Sequence, residues 1–254
     1  MSDGPRVAVF RPDDDRIDRA VSLLASLGAD PVADPMLAVE PTGTNPAAGE
    51  SLDAASVVFT SKTGVELAAN AGWSPGDTTL VAIGPSTAAA AREAGWTVDV
   101  VPEEYTSAGL VATLRDRVDG CVVEVARSDH GSDVLLEGLD EAGADVTETV
   151  LYRLTRPDGA GDSTALAADG DLDAVAFTSS LTVSHFLDAA AERGVRDAVL
   201  AALDDVIVGA IGAPTAETAA EHGIDVDVVP DEAAFDSLAT AVVDAAGEPD
   251  SVSR

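Results

Sequence analysis

Val98-Asp99-Val100-Val101-Pro102 recurs as Val226-Asp227-Val228-Val229-Pro230, 128 residues further along the chain. At the same spacing Ile83-Gly84 meets Ile211-Gly212, and Thr87-Ala88 meets Thr215-Ala216. Upstream, Phe59-Thr60-Ser61 meets Phe177-Thr178-Ser179 at a spacing of 118, so the second copy carries about ten extra residues around 194–202. Internal repetition of this length marks a duplicated supersecondary unit. Each copy reads as strand, helix, strand, helix, strand, helix. In the first copy, strand 56–60 ends at Ser61 and is followed by a helix over 62–71. Strand 79–83 comes next, then a helix over 86–94 opened by Gly84-Pro85 and closed by Gly95. In the second copy, strand 206–211 leads through Gly212 to a helix with Pro214 in its first turn and Gly223 at its end.

A weaker repeat fills the remainder. Arg6–Arg11 resembles Cys121–Arg127, and each stretch leads through a helix to Gly-Ala-Asp, at 28–30 and 143–145. These are short βαβ units. The chain order is short, long, short, long, and one short plus one long unit makes a five-stranded doubly wound parallel sheet. Periodicity leaves the pairing open. Continuous pairing would break the chain near residue 118, whereas interleaved pairing would make the central stretch an inserted domain, with 37–41 and 150–156 as paired linker strands. Asp158–Asp171, rich in Gly, Asp, Ser and Ala, reads as a linker.

The 254 residues carry 46 Asp and Glu against 14 Lys and Arg, a formal charge of −32. Lys62 is the single lysine. A hydrophobic fraction of 46% still supports a folded core. Nucleic acid and anionic membrane surfaces, which need a basic partner, are excluded as main partners. Acidic excess with few lysines and aromatics points to a halophilic protein, because molar salt shortens the Debye length to about 3 Å and screens self-repulsion. Cys121, the single cysteine, leaves no disulfide framework or thiol metal site and reads as a core residue. The polar start at Met1 and the charge-broken apolar runs predict a cytoplasmic chain without membrane spans.

Ligands of open parallel sheets gather at the carboxyl ends of the strands, where helix N-termini present free backbone N–H groups. Ser61, Thr87, Ser179, Ser180 and Thr215 all fall at that edge, and duplicated hydroxyls there suit carboxylates or phosphates. Helix capping accounts for any one of them taken singly. Arg11 and Arg127 end the first strands of the two short units and can fork onto a carboxylate, or pair with an acid of the fold. Tyr152 follows the last strand of the second short unit, where a phenol can donate a hydrogen bond. Lys62 adjoins Ser61 at the same edge and is the cation expected to serve the site. His130, His185 and His222 fall on different elements without partners at i+3 or i+4, which disfavours a metal site or a triad. No phosphate-binding glycine motif opens a helix.

Val57–Ser61 with Val175–Ser179, Ile83–Ala88, Ile211–Ala216, Gly143–Tyr152 and Phe10-Arg11-Pro12 together resemble the uroporphyrinogen-III synthase family, in the family's order over nearly the whole chain. The resemblance implies two flavodoxin-like doubly wound domains, interleaved as 1–37 plus 157–254 against 38–156. It also implies a two-stranded β ladder between them that acts as the hinge of a cleft. It implies cyclisation of hydroxymethylbilane to uroporphyrinogen III with loss of water and inversion of the last pyrrole ring, without metal or organic cofactor. Tyr152 would assist hydroxide departure. Thr87 and Thr215 match family threonines, and Ser61, Lys62, Ser179, Ser180, Arg11 and Arg127 would bind substrate carboxylates. The sequence departs from the family at Arg127-Ser128, where Arg-Gly is usual. The expected partner is this linear tetrapyrrole, and the expected state is a monomer. The competing reading is a non-catalytic two-domain module that binds an anion or a tetrapyrrole.

Overall fold

A computed structural model describes residues 4–50 and 52–247. The chain divides into two compact units, Met1–Ala38 with Thr155–Arg254, and Val39–Leu154.

In the first unit, β1 (Arg6–Phe10), β2 (Asp30–Ala33), β8 (Ala174–Phe177) and β9 (Ile207–Ala210) form a four-stranded sheet in the order β2-β1-β8-β9. All three pairings are parallel. The N-terminal short repeat therefore shares its sheet with the second long repeat. Val7, Ala8, Val9 and Phe10 are all fully buried, as expected of a central parallel strand covered on both faces. Phe10, Phe177 and Phe186 cluster on one face, with ring centroids 5.0 to 5.6 Å apart. Helices α1 (Asp15–Ser26) and α10 (Phe235–Gly247) cover the other.

In the second unit, β3 (Ala38–Pro41), β4 (Ser56–Phe59), β5 (Thr79–Ala82), β6 (Val122–Ser128) and β7 (Asp145–Thr155) run in the order β3-β7-β6-β4-β5. The pairings among β4 to β7 are parallel. The stretches read as linker strands thus become β3 and the end of β7, and β3 is the edge strand of this sheet. Helices α2 (Lys62–Asn70), α3 (Pro85–Glu93), α4 (Ser107–Leu114) and α5 (Asp133–Glu141) cover the sheet.

The opening repeat has one physical function in both units. Asp99 Oδ2 accepts from Leu80 N, and Asp227 Oδ2 accepts from Val208 N, at 2.8 and 2.9 Å. Val100 and Val228 then make single parallel bridges to Val81 and Gly209. The carboxylate stands in for a strand carbonyl, so a very short segment satisfies the sheet edge.

Two sequence readings change. Asp158–Asp171 is no linker, because it holds α6 (Asp162–Ala168) with Ser163 and Thr164 fully buried. The carboxylate of Asp34, itself buried, accepts from Gly161 N at 2.8 Å and Ser163 N at 2.9 Å, and Ser163 Oγ donates to it as well. A partner 127 residues away supplies the cap, which local composition does not reveal. The extra residues of the second repeat fold as α8 (Arg196–Leu203), packed beside α6 and α7 (Ser180–Glu192). Helix α9 (Ala213–Glu221) completes the set. Cys121 is only half-buried, just before β6.

Glu124, in the middle of β6, is fully buried. It accepts from Ala47 N at 2.8 Å, Ala48 N at 2.6 Å and Thr149 Oγ1 at 2.5 Å, tying the loop before β4 to the sheet.

Candidate active site

Parallel strands point their carboxyl ends at helix N-termini, and in the second unit that edge encloses a cavity of about 220 Å³. Thr60 and Ser61 follow β4, Ile83 follows β5, and Arg127 and Ser128 end β6. Tyr152 reaches in from β7, with Ser107, His130, Gly131, Ser132 and Leu135 completing the wall. A larger concavity of about 470 Å³ lies at the opposite edge, beside the amino ends of β4 and β5, and carries Glu50, Asp53 and Asp77.

A register shift positions Tyr152. Arg127 pairs with Val150, but Ser128 pairs with Tyr152, so β7 carries one extra residue at Leu151. The bulge breaks the alternation of β7 and buries Leu151 and Tyr152 in succession. Bulges re-aim side chains in this way beside functional sites. The Tyr152 phenol donates to Ser61 Oγ at 3.0 Å. Ser61 is the N-cap of α2, and its Oγ also accepts from Gly64 N at 3.0 Å. With both acceptor positions of Oγ occupied, the Ser61 hydroxyl proton is left to point elsewhere. Gly64 fits closely here, since a Cβ there would stand 3.1 Å from both Leu151 Cδ1 and Ser61 Oγ.

Arg127 lines the cavity with its guanidinium engaged. Its side chain is 5% exposed and makes a 2.6 Å pair with Glu148. Nη1 donates to Ser132 O at 2.7 Å, and Nη2 reaches Asp133 Oδ1 at 3.4 Å. Gly131 lets this side chain pass, because a Cβ at residue 131 would fall 2.5 Å from Arg127 Cδ. The fold itself therefore supplies acid partners to this arginine.

At the equivalent edge of the first unit, Ser179 caps α7 in a capping box with Thr182. Ser180 Oγ donates to Pro214 O at 3.0 Å, linking the starts of α7 and α9. Thr178 Oγ1 donates to Phe10 O. Thr215 is buried in the first turn of α9, as Thr87 is in α3. Arg11 lies over the Phe235 ring, 5.0 Å from its centroid. Its Nε is buried without a partner. Desolvation, reinforced by Arg16, lowers the Arg11 pKa from its ordinary value. A half-buried arginine in this state favours an anion.

Lys62 is not among the residues that line the cavity. It is exposed and pairs along its own helix with Glu66, at 3.3 Å. His130, set aside in the sequence for want of a partner at i+3 or i+4, lines the cavity. Its partner, Asp129, is its chain neighbour, at 2.8 Å, and not a residue one helical turn away. Among the described residues no group of His, Cys, Asp and Glu is placed to hold a metal ion. No helix among them is long and apolar enough to cross a membrane.

Two α/β units, with hydroxyls and helix N-termini at the carboxyl edge of each sheet, define the class of this protein. A family model described as uroporphyrinogen-III synthase HemD matches residues 18–240. The chain belongs to the uroporphyrinogen-III synthase family, a family of lyase-type enzymes. A putative uroporphyrinogen-III synthase of Methanothermobacter thermautotrophicus is 34% identical, over 95% of this chain and 99% of that protein. A uroporphyrinogen-III synthase of Synechococcus elongatus is 28% identical, over 67% of this chain and 65% of its own length. The crystal structure of a mutant uroporphyrinogen-III synthase from Thermus thermophilus shares the fold with a TM-score of 0.64 and 23% identity, covering 92% of this chain and 96% of that one. A uroporphyrinogen-III synthetase from Helicobacter pylori does so with a TM-score of 0.55 and 15% identity, again covering 92% and 96%.

Proposed function

We propose that this protein cyclises hydroxymethylbilane to uroporphyrinogen III, with loss of water and inversion of the last pyrrole ring. The observation that carries the reading beyond family membership is the pairing of Tyr152 with Ser61 inside a hydroxyl-lined cavity at the sheet edge. The substrate bears eight carboxylates, and each unit offers helix N-termini and hydroxyls as anchors: Ser61 and Thr87 in one, Ser179, Ser180 and Thr215 in the other. Arg11, with an unpartnered Nε, is the arginine best prepared to take a carboxylate. Arg127 acts chiefly by shaping the cavity wall through its internal ion pairs. Lys62 contributes its positive potential from the surface.

In this mechanism Tyr152 moves its hydrogen bond from Ser61 to the departing hydroxyl of the substrate. Departure leaves a cation delocalised over a pyrrole, and positioning of that pyrrole decides which carbon it meets. Uncatalysed closure gives the non-inverted isomer, so the protein acts mainly by controlling conformation. Segments 1–37 with 157–254, and 38–156, serve as two flavodoxin-like domains. The strands around Ala38–Pro41 and Val150–Thr155 serve as the ladder on which they move. We place the protein in the cytoplasm of a halophile, as a monomer.

The decisive experiment supplies hydroxymethylbilane in molar salt, oxidises the products and separates uroporphyrin isomers I and III. Enrichment of isomer III over the enzyme-free control is expected. Binding of the bilane without enrichment would identify a non-catalytic tetrapyrrole-binding module instead.

A further inference from the structure

We propose that His130, held by Asp129, is a further catalytic residue of this cavity, which donates a proton to the oxygen leaving the hydroxymethyl carbon and takes one back when the ring closes. The inference rests on the cyclisation reading.

His130 sits in the turn after β6 and shares the cavity wall with Tyr152 and Ser61. Its Nδ1 lies 2.8 Å from Asp129 Oδ1. The same carboxylate oxygen accepts from Leu154 N at 3.0 Å, and Asp129 N donates to Tyr152 O at 3.2 Å. Asp129 thus fastens the imidazole to the strand that carries the tyrosine. An imidazole whose Nδ1–H is held by a carboxylate keeps Nε2 for proton exchange. Burial works against ionisation of Asp129. The hydrogen bonds from His130 and Leu154 outweigh it and hold the carboxyl below its ordinary pKa. The carboxylate that orients the imidazole is therefore favoured in its charged form.

The other histidines lack this arrangement. His185 Nδ1 bonds to Met36 O in the first unit, and His222 is the C-cap of α9. Among the residues lining the cavity the other charged or titratable groups are Arg127, with its partners Glu148 and Asp133, and Tyr152. The walls from α2, β5 and α4 bring only Ser61, Ile83 and Ser107, which carry no charge. His130, with Nδ1 held on the Asp129 carboxylate, is thus the group of this cavity placed to pass a proton through Nε2.

The step balances without a co-reactant. The C–O bond of the hydroxymethyl group breaks with its electron pair passing to oxygen, and the proton on Nε2 completes a water molecule. The cation left on the methylene forms a C–C bond to the substituted α-carbon of the last pyrrole. The older C–C bond at that carbon then breaks, leaving a methylene cation on the neighbouring ring, which bonds to the free α-carbon of the same pyrrole and so inverts it. When the closed macrocycle sheds its carbon-bound proton to restore the pyrrole, neutral Nε2 takes it. The bilane has then become macrocycle plus water, and the imidazolium is regenerated.

The test measures His130→Gln, His130→Ala and Asp129→Asn in the isomer-resolved cyclisation assay across about pH 5 to 8, where imidazoles change charge. Either His130 variant is expected to lower kcat by roughly 100-fold, the lower end of the usual worth of a general acid and base. KM should stay within about threefold, and the fall in wild-type kcat with rising pH should be absent from His130→Gln. Asp129→Asn should show a smaller loss. The melting temperature of the His130 variants should hold, since the side chain is 47% exposed. A kcat within about twofold of wild type together with an unchanged pH profile would overturn the proposal. A wild-type chain that makes no excess of isomer III would overturn the cyclisation reading instead. His130 is then decided by its Cε1–H resonance on addition of uroporphyrin, an octacarboxylate tetrapyrrole. A shift sustains its place in a tetrapyrrole site, and no shift removes it.

Discussion

The Tyr152 hydroxyl donates to Ser61 Oγ across 3.0 Å, joining two residues 91 positions apart at the carboxyl edge of one parallel sheet. Ser61 owes its place to a strand-to-helix turn, and Tyr152 owes its place to a bulge. Tyr152→Phe removes the donor and keeps the packing of the ring. If the phenol assists departure of hydroxide by about 1.4 kcal/mol, turnover falls about tenfold. Single-turnover kinetics with hydroxymethylbilane measure this, and an unchanged rate would leave Tyr152 as a packing residue. Ser61→Ala should lower both turnover and stability, the latter by about 1 kcal/mol for the lost cap.

Glu124 is the most consequential buried charge in the second unit. Replacement by Ala leaves Ala47 N and Ala48 N without their carboxylate and opens a cavity inside β6. Each stranded buried donor costs about 1–3 kcal/mol. A loss of roughly 3 kcal/mol or more in urea unfolding is expected, with Glu124→Gln intermediate because its amide oxygen still accepts. A loss below about 1 kcal/mol would show that the loop before β4 finds other partners.

A formal charge of −32 makes stability depend on salt. In dilute buffer the acidic residues repel one another over the Debye length of about 10 Å at 0.1 M, and in molar salt that range falls to about 3 Å. The melting temperature should rise steadily from about 0.1 M to molar KCl. A melting temperature indifferent to salt would show that the charge is neutralised within the fold.

Acid sensitivity has an identified contributor in the first unit. Asp14 caps α1 and forks onto Arg16, and these hydrogen bonds hold its carboxyl below the ordinary value. A carboxyl with a depressed folded pKa contributes stability above its unfolded pKa of about 4, and that contribution is lost as pH falls through the folded value. Wild type should therefore lose stability more steeply than Asp14→Asn below about pH 4. Parallel acid denaturation curves for the two would rule out this source.

Much of the fold was legible because its signals are local. Phe59-Thr60-Ser61 and Phe177-Thr178-Ser179 read as strand ends leading into helix caps, and in the structure each Phe ends a strand and each Ser caps a helix. Gly95 and Gly223 adopt the positive φ of 83° and 80° expected where their helices stop. Asp158–Asp171 misled because the cap of α6 comes from Asp34, and composition carries no information about so distant a partner. At Lys62 the structure adds a partner that the sequence reading did not weigh. The lysine's position beside Ser61 suggested the site, but a helical side chain finds its neighbour four residues on, here Glu66.

The sequence by itself determined the repeat, the parallel α/β character and the residues at the sheet edges, because strand period, glycine stops and helix caps act over a few residues. Only the tertiary structure decided which short unit shares a sheet with which long one, since that depends on strands more than 160 residues apart, such as β1 and β8. The tertiary structure also shaped the candidate site. It committed Arg127 to Glu148 and Asp133, turned Tyr152 onto Ser61 through a bulge, and brought His130 to the same cavity. Side-chain direction at a strand end depends on register and on the partner across the sheet, and neither is a local property of the chain.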